Sequence, residues 1–160
     1  MTEQMSVKIA ALPSLRLTVE AHGLMAKKAL GQNFLLDQNI TDKIINLSLQ
    51  KQNKKDFSGA NVFEVGPGPG GLTRAVLAAE PKSLTVVEMD ERCIAIMNEI
   101  KEKTGDILHI INGDAMQTDF SVLAPAPRHI VSNLPYNISV PLLVGWLKNI
   151  NACLLYTSDA

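Results

Sequence analysis

The stretch Asn61-Val62-Phe63-Glu64-Val65, followed at once by Gly66-Pro67-Gly68-Pro69-Gly70-Gly71, constrains the fold of this chain more than any other. The first five residues read as a strand that stops at Gly66. From Gly71 to Glu80 the apolar residues Leu72, Ala75, Val76 and Ala79 fall at the spacing of one helix face, and Pro81 ends that helix. The same grammar then repeats. Ser83 to Met89 reads as a second strand, Asp90 caps a helix carrying Ile94, Met97 and Ile100, and Thr104-Gly105 closes it. Ile107 to Ile111 and Arg128 to Ser132 are a third and a fourth strand. Strands separated by helices imply right-handed crossovers and a doubly wound, mostly parallel sheet, an α/β fold.

Ahead of the sheet, Ser14 to His22 and Gln38 to Gln50 read as helices, the second opened by Asp37 as cap, and Asn53 to Gly59 is a polar linker. At 160 residues, 46% hydrophobic and 19% charged, the composition is that of a globular domain. No run approaches the roughly 18–20 apolar residues needed to span a bilayer. Met1 to Lys8 is polar and lacks the apolar centre of a signal peptide, so a cytoplasmic address and no membrane partner are expected. Cys93 and Cys153 form no Cys-x-x-Cys pair, and Cys93 reads as a helix-face thiol. His22, His109 and His129 stand apart without ligand spacing, so no metal site is expected. A net charge of −1 argues against a strong, self-sufficient nucleic-acid binder. It leaves room for local basic pairs such as Lys27-Lys28 and Lys54-Lys55.

The turn fits Gly-x-Gly-x-x-Gly at Gly66, Gly68 and Gly71, a pattern that lets a ligand approach the backbone closely. Alone it is also met in turns that merely pack helix on strand. Two carboxylates add to it. Glu88 lies at the end of the second strand, 22 residues after Gly66, where an acceptor can take both hydroxyls of a ribose. Asp114 follows the third strand, where a carboxylate can accept from an adenine amine. In an open parallel sheet these ends gather at one crevice, which points to an adenosine-type cofactor. NAD(H) and S-adenosylmethionine both satisfy that description. Pro67 and Pro69 stiffen the turn against wrapping a pyrophosphate, and Glu64 can serve either a cofactor amine or the fold alone.

After the fourth strand comes Asn133-Leu134-Pro135-Tyr136. An Asn, a rigid Pro and a flat aromatic at a strand end can hold a planar base and polarise its exocyclic amine. That amine is a poor nucleophile because its lone pair is delocalised into the ring. Acceptors aimed at its N–H groups favour the attacking, pyramidal form. The aromatic ring can stack on the base, worth about 1–3 kcal/mol. A hydride-transfer enzyme has no evident use for such a tetrapeptide.

Five segments in order carry a likeness: Leu30-Gly31-Gln32-Asn33-Phe34-Leu35-Leu36-Asp37, Glu64 to Thr73, Val87-Glu88-Met89-Asp90, Gly113-Asp114-Ala115-Met116, and Asn133 to Ser139. Together they resemble the ribosomal RNA adenine dimethyltransferases, the KsgA-type family, from roughly Leu15 to Asn151. The resemblance implies a Rossmann-like, S-adenosyl-L-methionine-dependent methyltransferase fold. It implies that Asn33 and Leu35 close over the cofactor and that Gly66 and Gly68 border its methionine end. Glu88 would hold its ribose and Asp114 its adenine amine. Asn133 and the Leu134 carbonyl would orient N6 of the target adenine, with Pro135 shaping the loop and Tyr136 against the base; Asn133 would also adjoin the cofactor. The implied activity is N6-dimethylation of two adjacent adenines near the 3′ end of 16S rRNA, in a pre-30S particle, by a monomer.

The resemblance divides the chain into a helical extension, residues 1–59, a partial catalytic domain, 60–151, and a tail, 152–160, unlike the family. Ser139 is expected to cap a helix from Pro141 to Lys148 whose Leu142, Leu143 and Trp146 pack on the sheet. The sheet is expected to stop after the fourth strand and that helix, without the family's C-terminal helical domain. A truncated gene, an assembly error or an out-of-frame end explains the tail more simply than a redesigned enzyme. Such a chain, with a central strand left at an edge, is expected to be poorly stable and weakly active. Two other functions stay open: an Erm-like 23S rRNA adenine N6-methyltransferase, and a non-catalytic ribosome-assembly factor.

Overall fold

A computed structural model describes residues 4–24, 36–134, 136–149 and 155–158. Its strands are β1 (Asn61–Val65), β2 (Ser83–Glu88), β3 (Leu108–Asn112), β4 (Arg128–Ser132) and β5 (Leu155–Ser158). They form one parallel sheet in the order β3-β2-β1-β4-β5. The order reverses beside β1, whose neighbours are β2 and β4, and that reversal opens the crevice where an α/β sheet takes a ligand. All five residues of β1 are buried, as expected of a central parallel strand covered on both faces.

Helices α1 (Met5–Ala10), α2 (Leu15–Ala21), α3 (Gln38–Lys51), α4 (Gly71–Ala78) and α5 (Glu91–Thr104) contribute to the core on one face. Their ends follow from capping chemistry. Ser14, Asp37 and Asp90 accept from the backbone N–H of Leu17, Asn39 and Arg92 at 3.3, 2.9 and 3.0 Å. The N-terminal helices share the sheet's own core, since Val19, Ile45 and Leu49 lie in the cluster with Val62, Val76, Leu84 and Ile100. The buried Arg74 of α4 ties that extension down, donating to the Pro13 carbonyl at 2.6 Å and to Thr18 Oγ1 at 3.3 Å. Cys93 is buried on the inward side of α5. The other face is covered by α6 (Phe120–Leu123) and α7 (Tyr136–Lys148), packed over Phe63, Val65, Val87 and Ile130.

Two expectations are corrected. Helix α7 begins at Tyr136, so Pro141 lies inside it and Ser139 is not its cap. Pro141 is the sixth helical residue; the bond it cannot donate is the one to the Asn137 carbonyl, one turn back. Leu142 and Trp146 do pack on the sheet. The second correction concerns 152–160, where no strand was expected. Leu155–Ser158 pairs parallel with β4, His129 opposite Leu155 and Ser132 opposite Ser158. The open edge of β4 supplies unpaired backbone groups, and a Leu-Tyr-Thr run of strand-favouring residues satisfies them. Among the described residues β4 is therefore not an edge strand. No described helix is long and apolar enough to cross a membrane.

Candidate functional site

The C-terminal ends of four adjacent strands bring the expected residues together. Parallel register sets Glu64 of β1 opposite Val131 of β4, so two residues later Gly66 is level with Asn133. On the other side Glu88 pairs with Asn112, and the Gly113 N–H donates to the Glu88 carbonyl at 2.9 Å, which brings Asp114 beside the end of β2. Gly66, Glu88, Asp114 and Asn133 thus line one edge of the sheet. Asn33, Leu35 and Pro135 lie outside the described residues, as do Lys27 and Lys28. Tyr136 is the first residue of α7.

The glycine turn has two kinds of glycine. Gly66 has φ +63°, and a Cβ there would meet nothing within 4 Å, so the backbone stands open to the crevice. Gly70 has φ +92°, and a Cβ would come within 2.8 Å of Ile100 Cδ1 and 3.0 Å of Met97 Cε. The first faces open space; the second lets α5 approach the head of α4. The turn is both a ligand approach and a packing device.

Glu88 is held rigidly. Its Oε1 accepts from the N–H groups of Met89 and Asp90 at 2.8 and 2.9 Å, and its Oε2 lies 3.4 Å from the Gly68 N–H. The carboxylate therefore links the strand end to the glycine turn. Asp114 is exposed, and its Oδ1 accepts from the Met116 N–H at 2.8 Å, which orients the group and leaves Oδ2 available. The Asn133 side chain has no hydrogen bond among the described residues, whereas Leu134 beside it is buried in the second core cluster, fixing the loop. The donor set fits S-adenosylmethionine: an open glycine backbone, a fixed carboxylate for vicinal hydroxyls and a second acceptor for an exocyclic amine.

Three further residues support the site and were not anticipated. Thr73 of α4 donates its hydroxyl to Glu64 Oε2 at 2.7 Å, joining the end of β1 to the helix after the turn. Burial pushes the Glu64 carboxyl up to about 8, against the Thr73 hydrogen bond and helped by the charge of Glu88. Ser132 Oγ accepts the Val65 N–H at 2.9 Å, closing the β1–β4 junction. Gln38 Nε2 donates to the Gly71 carbonyl at 3.1 Å, so α3 braces the head of α4. A polar Thr on an otherwise apolar helix face was the one signal in the sequence for any of them. Beside the crevice an open cleft of about 340 Å³ lies between the stretch after Asp114 and α7, lined by Met116, Phe120, Leu142 and Trp146 among others.

The fold is that of S-adenosylmethionine-dependent methyltransferases. The solved methyltransferase PaMTH1 of Podospora anserina, bound to SAH, matches with a TM-score of 0.57 at 17% identity, over 92% of this chain and 65% of that one. The 23S rRNA methyltransferase ErmE matches with a TM-score of 0.59 at 25% identity, over 79% of this chain and 47% of that one. The family model described as ribosomal RNA adenine dimethylase matches residues 23–158, and the chain belongs to that family. Family and fold together imply S-adenosyl-L-methionine as the cofactor. The chain is 51% identical over 138 residues to the ribosomal RNA small subunit methyltransferase A of Gluconobacter oxydans, covering 86% of this chain and 44% of the relative. It is 46% identical over 158 residues to the protein of that name from Mesorhizobium japonicum, covering 95% and 54%. The chain thus spans about half the length of these relatives. The family match reaches into β5, beyond the point where the likeness was expected to end.

Proposed function

We propose that the chain carries the cofactor crevice and amine-polarising loop of an enzyme that dimethylates N6 of two adjacent adenines near the 3′ end of 16S rRNA. Its setting is a pre-30S particle, and it works in the cytoplasm as a monomer. The observation that carries this reading is the convergence of Gly66, Glu88, Asp114 and Asn133 on one sheet edge. The identity of about half to relatives named for the small subunit favours that substrate over the large-subunit rRNA of ErmE, at 25%.

S-adenosylmethionine, when bound, supplies an electrophilic methyl group on a sulfonium. The chain's own residues bind, orient and polarise. Glu88 takes the ribose hydroxyls and Asp114 the adenine amine, while Gly66 and Gly68 leave room for the methionine end. Asn33 and Leu35 would close over the cofactor from the N-terminal side. The Asn133 amide oxygen and the Leu134 carbonyl accept from the N6–H groups of the target adenine, drawing its lone pair out of conjugation as positive charge develops on nitrogen. Tyr136 would contact the base, and Pro135 would stiffen the loop. Positioning and electrostatics supply the acceleration, without a covalent intermediate.

The test is methyl transfer by the chain, and by a longer form of the protein, to immature 30S particles and to free 23S rRNA. Dimethyladenine in the small-subunit RNA supports the reading. Transfer confined to 23S rRNA makes it an Erm-like enzyme. Particle binding with intact cofactor affinity but no transfer by either form makes it an assembly factor.

A further inference from the structure

Glu64 is an unusual group for a cofactor site. It is 2% exposed on the central strand, beneath the glycine turn. Its hydrogen-bond partner among the described residues is a neutral hydroxyl, Thr73 Oγ1 at 2.7 Å, and no described Lys, Arg or His pairs with it. Every described element packed around it withholds positive charge. From β2 it pairs with Val86 and from β4 with Val131. From α5 the Met97 sulfur lies 3.8 Å from the Thr73 hydroxyl. Arg74, next along α4, turns its guanidinium away to Pro13 and Thr18. The titratable side chain whose charge reaches it is Glu88, another acid. A buried carboxylate without a cation is costly, and such a group keeps its proton instead.

We propose that Glu64 is a neutral acid in the ligand-free chain and releases its proton when the cationic amino-acid end of S-adenosylmethionine arrives, so that cofactor entry is proton-coupled. The inference rests on the cofactor reading above. The carboxyl O–H bond breaks, the proton passes to bulk water, and the carboxylate left behind would balance the positive charge of the ligand's amino-acid end. Thr73 keeps its hydrogen bond throughout and favours the ionised form. Burial, with Glu88, sets the free group's proton affinity at about pH 8, so a pH near neutrality finds it protonated until a cation enters.

Carboxyl-carbon NMR of the full chain, with Glu64→Gln as the assignment control, reads the proton directly. Glu64 should titrate near about pH 8 without ligand and in the usual carboxylate range with S-adenosylmethionine bound. Calorimetry at pH 6.5, below the ionisation of an α-amine near about 8, should show close to one proton released in buffers of differing ionisation heat. Glu64→Gln should release none. Affinity should rise by up to about tenfold per pH unit between pH 6 and 7.5 in the parent and stay flat in Glu64→Gln. Thr73→Val, which removes the bond favouring the carboxylate, should move the titration to higher pH. Titration of free Glu64 in the usual carboxylate range, or binding without proton release, overturns the coupling while leaving the cofactor reading intact. No binding of S-adenosylmethionine at any pH overturns the cofactor reading and the coupling with it.

Discussion

On one face of the sheet α1 to α5 bury a continuous core that takes in Val62, Val76, Leu84, Ile96 and Met97, whereas the core beneath α6 and α7 is built, among the described residues, from seven buried ones around Phe63, Phe120 and Leu142. The outer surface of the thinner side is itself apolar. Val140, Val144 and Leu147 lie on one stripe of α7 at 64%, 45% and 52% exposure, and Val122 of α6 is 77% exposed. The two faces also divide the site. Glu64 and Thr73 belong to the dense face, while Leu134 anchors the proposed base-orienting loop to the thin one. The denser packing thus lies beneath the proposed cofactor crevice, and the proposed base-orienting loop rests on the smaller cluster.

The largest effect that can test this contrast is a cavity in the dense core. Leu84→Ala should cost about 2–5 kcal/mol in denaturant unfolding, and Leu142→Ala distinctly less, because the thin face can relax or hydrate. Equal losses would erase the distinction between the faces. Next in size, Asn133→Ala should lower the methyl-transfer rate by roughly 10²–10³ with cofactor affinity nearly unchanged. Near-normal turnover on a pre-30S particle would refute its role. Glu88→Ala should do the reverse, weakening cofactor binding by about 10- to 100-fold in calorimetry, as expected when a charge-assisted hydrogen-bond pair is removed. Unchanged affinity rules out the ribose assignment.

A smaller effect comes from pH. The raised Glu64 favours the folded state below its ordinary value of 4.5, and that contribution is lost as pH climbs to about 8. His129, also on the dense face, is held below its usual 6.5 by burial and, secondarily, by Lys54, and both its ring nitrogens lack hydrogen-bond partners among the described residues. Its contribution is therefore present above 6.5 and lost as pH falls. Melting temperature against pH should drop on both sides, with Glu64→Gln flattening the alkaline limb and His129→Phe the acid one. A Glu64→Gln profile that parallels the parent removes the buried-acid assignment. The smallest effect expected is that of Val144→Ala, within about 0.5 kcal/mol, since its surroundings are open.

Much of this arrangement is legible in the sequence because local chemistry and tertiary role agree there. The β1–turn–α4 unit, the Asp90 cap and the limits of β4 follow from alternation, glycine and capping alone. Helix α7 misleads because proline prefers a first helical turn, and the chain around Pro141 accepts the loss of one backbone bond instead. Strand β5 depends on its neighbour's open edge, which no local pattern announces. The same holds for the site. Gly66, Glu88 and Asp114 sit where strand ends must converge, but the Ser132 contact with the Val65 backbone joins residues 67 apart, and no periodicity could pair them.

That last contact also orders events in time. The central strand is flanked by β2, close in sequence, and by β4, whose partners to β1 come more than sixty residues later. A chain emerging from a ribosome can therefore assemble the glycine turn and Glu88 early, yet cannot bring Asn133 to Gly66 until the β4 segment has been synthesised and has inserted beside β1. Non-local closures of this kind are the slow ones. The Gly66–Glu88 side of the proposed site is thus complete in sequence well before the Asn133 side.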